Sequence, residues 1–285
     1  MAPKLTLYSF VGSQWAGVAH LALAEKGFST DDYEVKEINL AAAENFAPEY
    51  LKINPHGTVP SLVSSALEKP LVQSIDILRY VDSVGEATLV PKDPKVQQKA
   101  QQIIDHVHSA DVDTNVILFD ARDTKEMEAK KASMWKDFLQ NRQTKLEQEH
   151  KAAPDNAFYS FKREENGAVN RLYTTELGAD HQQFFETSHS QYRTFASGMN
   201  KLEEILVLPF AAGDSLTEAD FHAIPWLSHA MWGAGTEPTD IHNFGLLEEL
   251  IRKSDPEFSV GPKTKQWWKR VSTTKSFKKV YPSLH

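Results

Sequence analysis

The 285-residue sequence contains no cysteine. This absence excludes disulfide bonds, cysteine-ligated metals and any thiol nucleophile supplied by the protein itself. Long apolar runs are also missing, since none approaches the roughly 20 residues that span a bilayer. The opening segment MAPKLTLYSF lacks the charged start and apolar stretch of a signal peptide. We therefore expect a cytoplasmic protein with no membrane partner.

Basic residues are in deficit, with 31 Lys and Arg against 39 Asp and Glu and a net charge of −8. Nucleic-acid binding relies on a basic surface, so we expect no nucleic-acid partner. The eleven histidines show no metal-ligand spacing; His106 and His108, for example, diverge on a helix because they are two residues apart. We expect no metal site and no cofactor.

The pattern of apolar residues predicts two domains. Residues 5–10 and 33–40 alternate as strands, 14–26, 45–54 and 74–85 are predicted to be helices, and NPHGTVPSLVSS and KPLVQS each contain a strand. The resulting order βαβαββα predicts an α/β domain at 1–84. Prolines mark a linker near 84–92, and 92–285 is predicted to be all-helical.

The region from about 120 to 185 has weaker patterns. Residues 124–150 are charged and predict a long, solvent-facing helix. Residues 153–180 are polar and predict an extended loop with a short hairpin at Asn166-Gly167. Helices are predicted again at about 181–207, 217–232, 243–253 and 263–274.

Three local signals are candidates for chemistry. Ser13 lies between a strand and a helix, where a serine either caps the helix or holds an anion at the positive helix end. Val59-Pro60 precedes a strand and favours a cis bond that leaves the Val59 backbone free to pair with a peptide-like ligand; the alternative is a simple edge proline. Gln73-Ser74 starts another helix, which suits either capping or a ligand carboxylate with a nearby amino group.

Several motifs occur together in an order that resembles cytosolic glutathione transferases. They are NPHGTVPSL, QSIDILRYVD, LVPKDP, AAGDSLTEADF and KTKQWWKRVSTTKSFKKV. The resemblance covers residues 4–112 and about 191–281. It is greatest to the omega-like branch, because Ser13-Gln14-Trp15 falls on that branch's Cys-Pro-Phe/Tyr motif and Pro225-Trp226 matches its Pro-Trp.

The resemblance implies a thioredoxin-like α/β N-terminal domain that binds glutathione and an all-α C-terminal domain. Val59, before the cis Pro60, matches the residue that pairs with the cysteinyl part of glutathione. Gln73 and Ser74 match the pair that holds the γ-glutamyl end, and Ser13 matches the position facing the sulfur. A homodimer with a detoxification role is also implied.

Ser13 decides the predicted chemistry. Cysteine-type relatives form a mixed disulfide with glutathione, which serine cannot do, so we expect no protein-thiol reductase activity. We predict a serine-type transferase that joins the glutathione thiolate to a hydrophobic electrophile. The alternative is a glutathione-binding carrier, sensor or regulatory protein with little turnover. Tyr8 is the alternative activating hydroxyl, since the alpha, mu and pi branches place a tyrosine nearby.

The resemblance also implies a second-substrate pocket between the domains, with Trp15, Phe119, Trp226 and His229 as candidate lining residues. Two departures from the family pattern stand out. Thr58 and Phe46 occupy or lie near positions where relatives place a lysine for the glycine carboxylate of glutathione, which leaves Asn45 or Lys52 to compensate. The segment at about 120–185 is an insertion where relatives have a short loop between helices 4 and 5.

Overall fold

A three-stranded mixed sheet forms the centre of the N-terminal domain in the computed structural model, which describes residues 5–84, 86 and 88–285. Strand β1 (Leu5–Ser9) lies between β2 (Tyr33–Glu37), which is parallel to it, and β3 (Ser61–Ser64), which is antiparallel. The predicted strand at KPLVQS is reduced to a single antiparallel bridge between Leu71 and Leu62. Residues 1–4 of the predicted domain and Gly85, the predicted helix end, lie outside the described residues.

Three helices cover this sheet, α1 (Gln14–Glu25), α2 (Pro48–Leu51) and α3 (Ser74–Ser83). Helix α1 is apolar on almost every side, and its residues 16–19 and 21–23 are buried. A helix of this kind must be covered all round. Contacts with α3 on one side and with C-terminal helices on the other provide that cover.

Ten further helices make up the C-terminal domain. They are α4 (Pro94–Val107), α5 (Asn115–Phe119), α6 (Thr124–Lys131), α7 (Met134–Ala152), α8 (Ala157–Thr174), α9 (Ala179–Ile205), α10 (Glu218–Gly233), α11 (Gly245–Arg252), α12 (Pro262–Val271) and α13 (Lys275–Val280). Helix α10 has Thr217 as its N-cap and begins with a capping box, in which Asp220 accepts the Thr217 backbone N–H at 2.9 Å. None of the described helices combines the length and apolarity needed to cross a membrane.

The segment from about 120 to 185, which the resemblance interprets as an insertion and which keeps that label below, differs from its prediction. Residues 124–150 form two helices because Ser133 caps α7 and separates it from α6. The loop and hairpin predicted for 153–180 are wrong: α8 occupies most of this segment and packs antiparallel against α7. The middle of α8 lacks apolar residues because Asn166 donates to the Leu139 carbonyl at 3.0 Å, and Gly167 lies against Gln143. Polar packing therefore replaces the apolar stripe by which a helix is recognised.

The insertion also packs against the N-terminal domain, so the predicted solvent-facing character of 124–150 is wrong. A small cluster joins Ala43 and Phe46 to Leu146 of α7 and Tyr159 of α8. The Tyr159 hydroxyl donates to the Phe46 carbonyl at 3.0 Å. A second cluster joins the insertion to α9 through Leu139, Tyr173 and Phe185, among others. Helices α6–α8 are thus an integral part of the molecule.

Candidate active site between the two domains

A cavity of about 650 Å³ lies between the N-terminal domain, the insertion and the C-terminal helices. Its N-terminal wall is built by the loop between β1 and α1, by residues 40–46 and by residues 57–59. Helix α5 and the inner faces of α7 and α8 form the opposite wall, and α9 and α10 contribute a few side chains. An interdomain cavity lined mainly by apolar groups with a few polar ones is a typical small-molecule site.

Ser13 lines this cavity and caps α1. Its Oγ accepts the Ala16 backbone N–H at 3.4 Å, and its side chain is half-buried. A hydroxyl that accepts one hydrogen bond still has its own proton to donate. The capping role and the role towards a ligand are therefore compatible, and the partial positive charge of the helix end acts on the same spot.

Val59 reaches the cavity from the turn before β3, and the Val59–Pro60 bond is cis, as the sequence predicts. The turn is held by Tyr50 and Asn54, which both donate to the Thr58 carbonyl, at 2.6 and 2.7 Å. The backbone N–H and C=O of Val59 form no hydrogen bond with any residue that the structure describes. Both groups remain available to a peptide-like ligand.

Gln73 and Ser74 lie where predicted in the fold, at the start of α3, although they and Pro60 are not among the residues lining the cavity. Gln73 is exposed, and its side chain makes no capping hydrogen bond. Ser74 is buried at the first helical position. The capping interpretation makes Ser74 the N-cap, whereas the structure has Gln73 at that position and Ser74 inside the helix.

Three of the four candidate pocket residues, Trp15, Phe119 and His229, line the cavity. Trp226 does not, because it is completely buried and its Nε1 donates to the Val112 carbonyl at 2.8 Å. Tyr8, the alternative hydroxyl, packs its ring against Tyr50 at 5.9 Å and is also absent from the cavity lining.

Several aromatic residues of the cavity wall were missed in the sequence, among them three beside Phe119. Trp135 and Phe138 from α7 and Trp232 from α10 line the cavity beside Phe119. The Trp135 ring lies 5.1 Å from that of Phe119 and 6.1 Å from that of Trp232, in edge-to-face arrangements. The spacing of Trp135, Phe138 and Leu139 is the signal that identifies an inward-facing side of α7.

A hydrogen-bond chain connects the two domains next to Ser13. The Thr114 hydroxyl donates to Gln14 Oε1 at 3.1 Å, and His229 Nδ1 lies 2.8 Å from the same hydroxyl oxygen. Since the Thr114 proton is used by Gln14, His229 carries its proton on Nδ1 and leaves Nε2 as an acceptor. Burial lowers the pKa of His229 to about 4, so the ring is neutral at pH 7.

The two residues considered for binding the glycine carboxylate of glutathione, Asn45 and Lys52, lie in different surroundings. Lys52 is exposed and paired with Glu49 at 2.8 Å, outside the cavity lining. Asn45 lines the cavity and is buried, with Nδ2 donating to the Gly57 carbonyl at 2.6 Å. Phe46 is buried under the guanidinium of Arg142, a cation contributed by the insertion. Within the described residues, no group of three His, Asp or Glu side chains is arranged to hold a metal ion.

Comparison with known proteins shows what the N-terminal domain is similar to. Residues 3–83 match the model of the glutathione S-transferase N-terminal domain. The chain is 41% identical over 92 residues to a zeta-class glutathione S-transferase of Euphorbia esula, a match that covers 32% of this chain and 39% of the relative.

Two further similarities extend beyond this domain. A maleylacetoacetate isomerase, maiA, of Aspergillus fumigatus is 29% identical over 119 residues, covering 39% of this chain and 50% of the relative. The sequence matches thus span half or less of these two relatives. Over 97% of the chain, the fold matches a glutathione transferase homologue from Sulfitobacter solved with bound glutathione, with a TM-score of 0.57 at 17% identity and 96% coverage of that chain. The whole chain therefore has the glutathione transferase fold, and the omega-like subtype stays a prediction.

Proposed function

We propose that the protein is a glutathione transferase that joins the glutathione thiolate, activated by Ser13, to a hydrophobic electrophile. The position of Ser13 carries the proposal: its hydroxyl caps α1 while lining a cavity whose far wall is aromatic. We propose glutathione as the thiol substrate because the N-terminal domain presents the free backbone groups of Val59 on the same wall as Ser13.

The bound tripeptide pairs its cysteinyl backbone with Val59, while Gln73 and Ser74 hold the γ-glutamyl end. The Ser13 hydroxyl donates to the sulfur, and a charge-assisted hydrogen bond of this kind contributes roughly 1.5–3 kcal/mol. The helix end adds up to about 1 kcal/mol. Together they lower the thiol pKa by about one to two units or somewhat more, so that thiolate is present at neutral pH.

The thiol proton leaves to solvent before the reaction. The sulfur lone pair then attacks an electrophilic carbon held against the aromatic wall of Phe119, Trp135 and Trp232. A carbon–sulfur bond forms as the bond to a halide or an epoxide oxygen breaks, and the departing atom takes the bonding electron pair. No thiol of the protein takes part, since the chain has no cysteine.

The decisive experiment is a pH titration of bound glutathione followed by thiolate absorbance. In the wild type we expect a thiol pKa well below that of free glutathione, and in Ser13→Ala a return towards the free value. Tyr8→Phe is the matched control, since it also removes a hydroxyl near the start of the domain and should leave the bound thiol pKa unchanged.

The same titration separates the two candidate functions. Tight binding with an unshifted thiol pKa contradicts the transferase proposal and favours a glutathione-binding carrier, sensor or regulatory protein. A shift that Tyr8→Phe abolishes and Ser13→Ala preserves contradicts the assignment of Ser13. Absence of glutathione binding contradicts both functions.

The assembly and setting follow from the same proposal. We expect a cytoplasmic homodimer with a detoxification role, as the resemblance implies. Sedimentation equilibrium tests the assembly, since each chain has a mass of 32.1 kDa and a dimer doubles it.

A further inference from the structure

Arg142 is a cation inside the cavity without a protein anion bound to it. It lies on the inner face of α7 and lines the cavity. Its guanidinium carbon lies 4.4 Å from the centre of the Phe46 ring and 5.1 Å from that of Phe138. Among the residues that the structure describes, none forms a hydrogen bond or an ion pair with this guanidinium.

The Arg142 guanidinium is partly buried and lacks hydrogen-bond acceptors from the described residues. A guanidinium has five N–H donors, and cation–π contacts only partly replace the hydration that it loses on burial. Burial lowers the pKa of Arg142 to about 10, so the group is still a cation at neutral pH. A cation in this position is stabilised by a hydrogen-bonded anion, and a planar carboxylate matches the guanidinium through two parallel hydrogen bonds.

The protein itself does not provide that carboxylate. Glu165 lines the same wall, and its charge partly opposes the lowering of the Arg142 pKa. It forms no hydrogen bond or ion pair with the guanidinium, however, and its Oε2 accepts from Lys162 Nζ at 2.6 Å. Arg142, Glu165 and Lys162 together carry one positive charge. The anion is therefore expected to enter with a ligand.

Two features place Arg142 beside the glutathione wall. Its ring partner Phe46 lies next to Asn45, which is bonded to Gly57, two residues before Val59. The Asn45 Oδ1 atom is buried and has no donor among the described residues. The C-terminal end of a short peptide presents an N–H donor followed by a carboxylate. The N–H group complements the unpaired Asn45 Oδ1, and the carboxylate complements Arg142.

We propose that Arg142 binds a carboxylate that enters the cavity with the ligand. The position beside Phe46 and Gly57 favours the glycine carboxylate of glutathione as its source. A carboxylate on the electrophile is the second source of the same chemistry. This inference rests on the proposed function. It gives Arg142 of α7 the role of the lysine that relatives place near the positions of Thr58 and Phe46.

The test is a fluorescence titration, since Trp15, Trp135 and Trp232 line the cavity. Wild type, Arg142→Met and Arg142→Lys are titrated with glutathione and with its glycine ethyl ester. We expect Arg142→Met to weaken glutathione binding roughly tenfold to hundredfold and to leave ester binding unchanged. Arg142→Lys should recover part of the loss. Arg171→Met, at an exposed position of α8, is the control and should match the wild type.

A second arm uses 4-chloro-3-nitrobenzoate and its methyl ester as electrophiles. If Arg142→Met weakens binding of the acid alone while glutathione binding is unchanged, the carboxylate comes from the electrophile. If Arg142→Met, folded by circular dichroism, binds all four compounds like the wild type, the proposal is overturned. Wild-type protein that binds neither glutathione nor its ester contradicts the proposed function, and the acid arm then decides the role of Arg142 alone.

Discussion

Asp120, a single residue in the cavity wall, makes the stability of the protein depend on pH. It follows α5 and lines the cavity, and its Oδ2 atom is buried without a hydrogen-bond partner among the described residues. Burial raises the pKa of this carboxyl to about 7, although Lys130 opposes the shift. The carboxyl is therefore half-protonated near neutral pH in the folded protein, whereas in the unfolded chain it is ionised above about pH 4.

This difference gives a signed prediction for Asp120→Asn. Between about pH 4 and pH 7 the folded state binds the proton and the unfolded state does not, so the contribution of Asp120 to stability falls as pH rises. Asparagine stays neutral, so the variant should gain stability relative to the wild type over this range, by up to about 4 kcal/mol at pH 8. Urea denaturation at pH 5 and pH 8 measures both values. An equal difference at the two pH values would contradict the raised pKa.

Among single residues, those at element boundaries were the most predictable. Ser13 at the start of α1, Gly27 at φ 76° just beyond its end and Thr217 at the start of α10 all lie where local capping chemistry places them. Arg142 and Asp120 were not predictable, because their importance depends on a cavity formed by segments far apart in sequence. No local pattern records that a guanidinium or a carboxyl will be buried without a partner.

At the scale of elements, the packing of α1 against the C-terminal helices depends on a missing side chain. A Cβ at Gly17 would overlap the Tyr281 hydroxyl and lie 3.1 Å from Pro225 Cβ. Tyr281 is completely buried and stacked on His285, so it has no space to move aside. The close approach of α1 to α10 and α13 is therefore possible only with glycine at this position.

We predict that Gly17→Ala destabilises the protein by about 1–3 kcal/mol through overpacking. Gly178→Ala is the matched control, because its added Cβ meets nothing within 4 Å and its backbone is extended, with φ −160°. Chemical denaturation of both variants provides the comparison. A Gly17→Ala protein as stable as the control would show that α1 moves away from Tyr281 without cost.

Elements with a clear apolar period were predicted correctly, and those with polar packing were not. Helix α10, predicted at 217–232, is observed at Glu218–Gly233. Most of helix α7 lies within the helix predicted at 124–150, but α8 was missed because its contact with α7 uses Asn166, Gln143 and a glycine, which resemble a loop in sequence. Tyr159 and Tyr173, towards the two ends of α8, donate to the Phe46 and Phe119 carbonyls, which lie outside this segment.

At the scale of the whole molecule, the two domains share one core. A single cluster of buried side chains runs from Leu7 in the sheet to Tyr281, the residue after α13. Arg79 of α3 also forms two hydrogen bonds with the buried carboxylate of Glu218 in α10, at 2.8 and 3.2 Å. An interface that is both apolar and charge-paired predicts that the domains unfold together.

Buried histidines predict how this common unit responds to acid. Burial lowers the pKa of His20, His108 and His229 to about 4 each. In the unfolded chain these rings take up protons below about pH 6.5. The stability that they contribute is therefore fully present above pH 6.5 and is lost as pH falls towards 4.

The expected slope near pH 5 follows from the proton count. The three protons that these rings take up on unfolding correspond to about 4 kcal/mol of lost stability per pH unit, and the proton released by Asp120 offsets about 1.4 kcal/mol of this. His222 adds to the loss, because burial lowers its pKa well below the usual value. Urea denaturation from pH 4.5 to pH 7.5 measures the slope. His20→Gln keeps a polar group beside Ser9, whose hydroxyl lies 2.8 Å from His20 Nε2, and should reduce the slope by about 1.4 kcal/mol per pH unit. An unchanged slope in this variant would mean that His20 already takes up its proton in the folded protein, and that the shared core is open to solvent near the sheet.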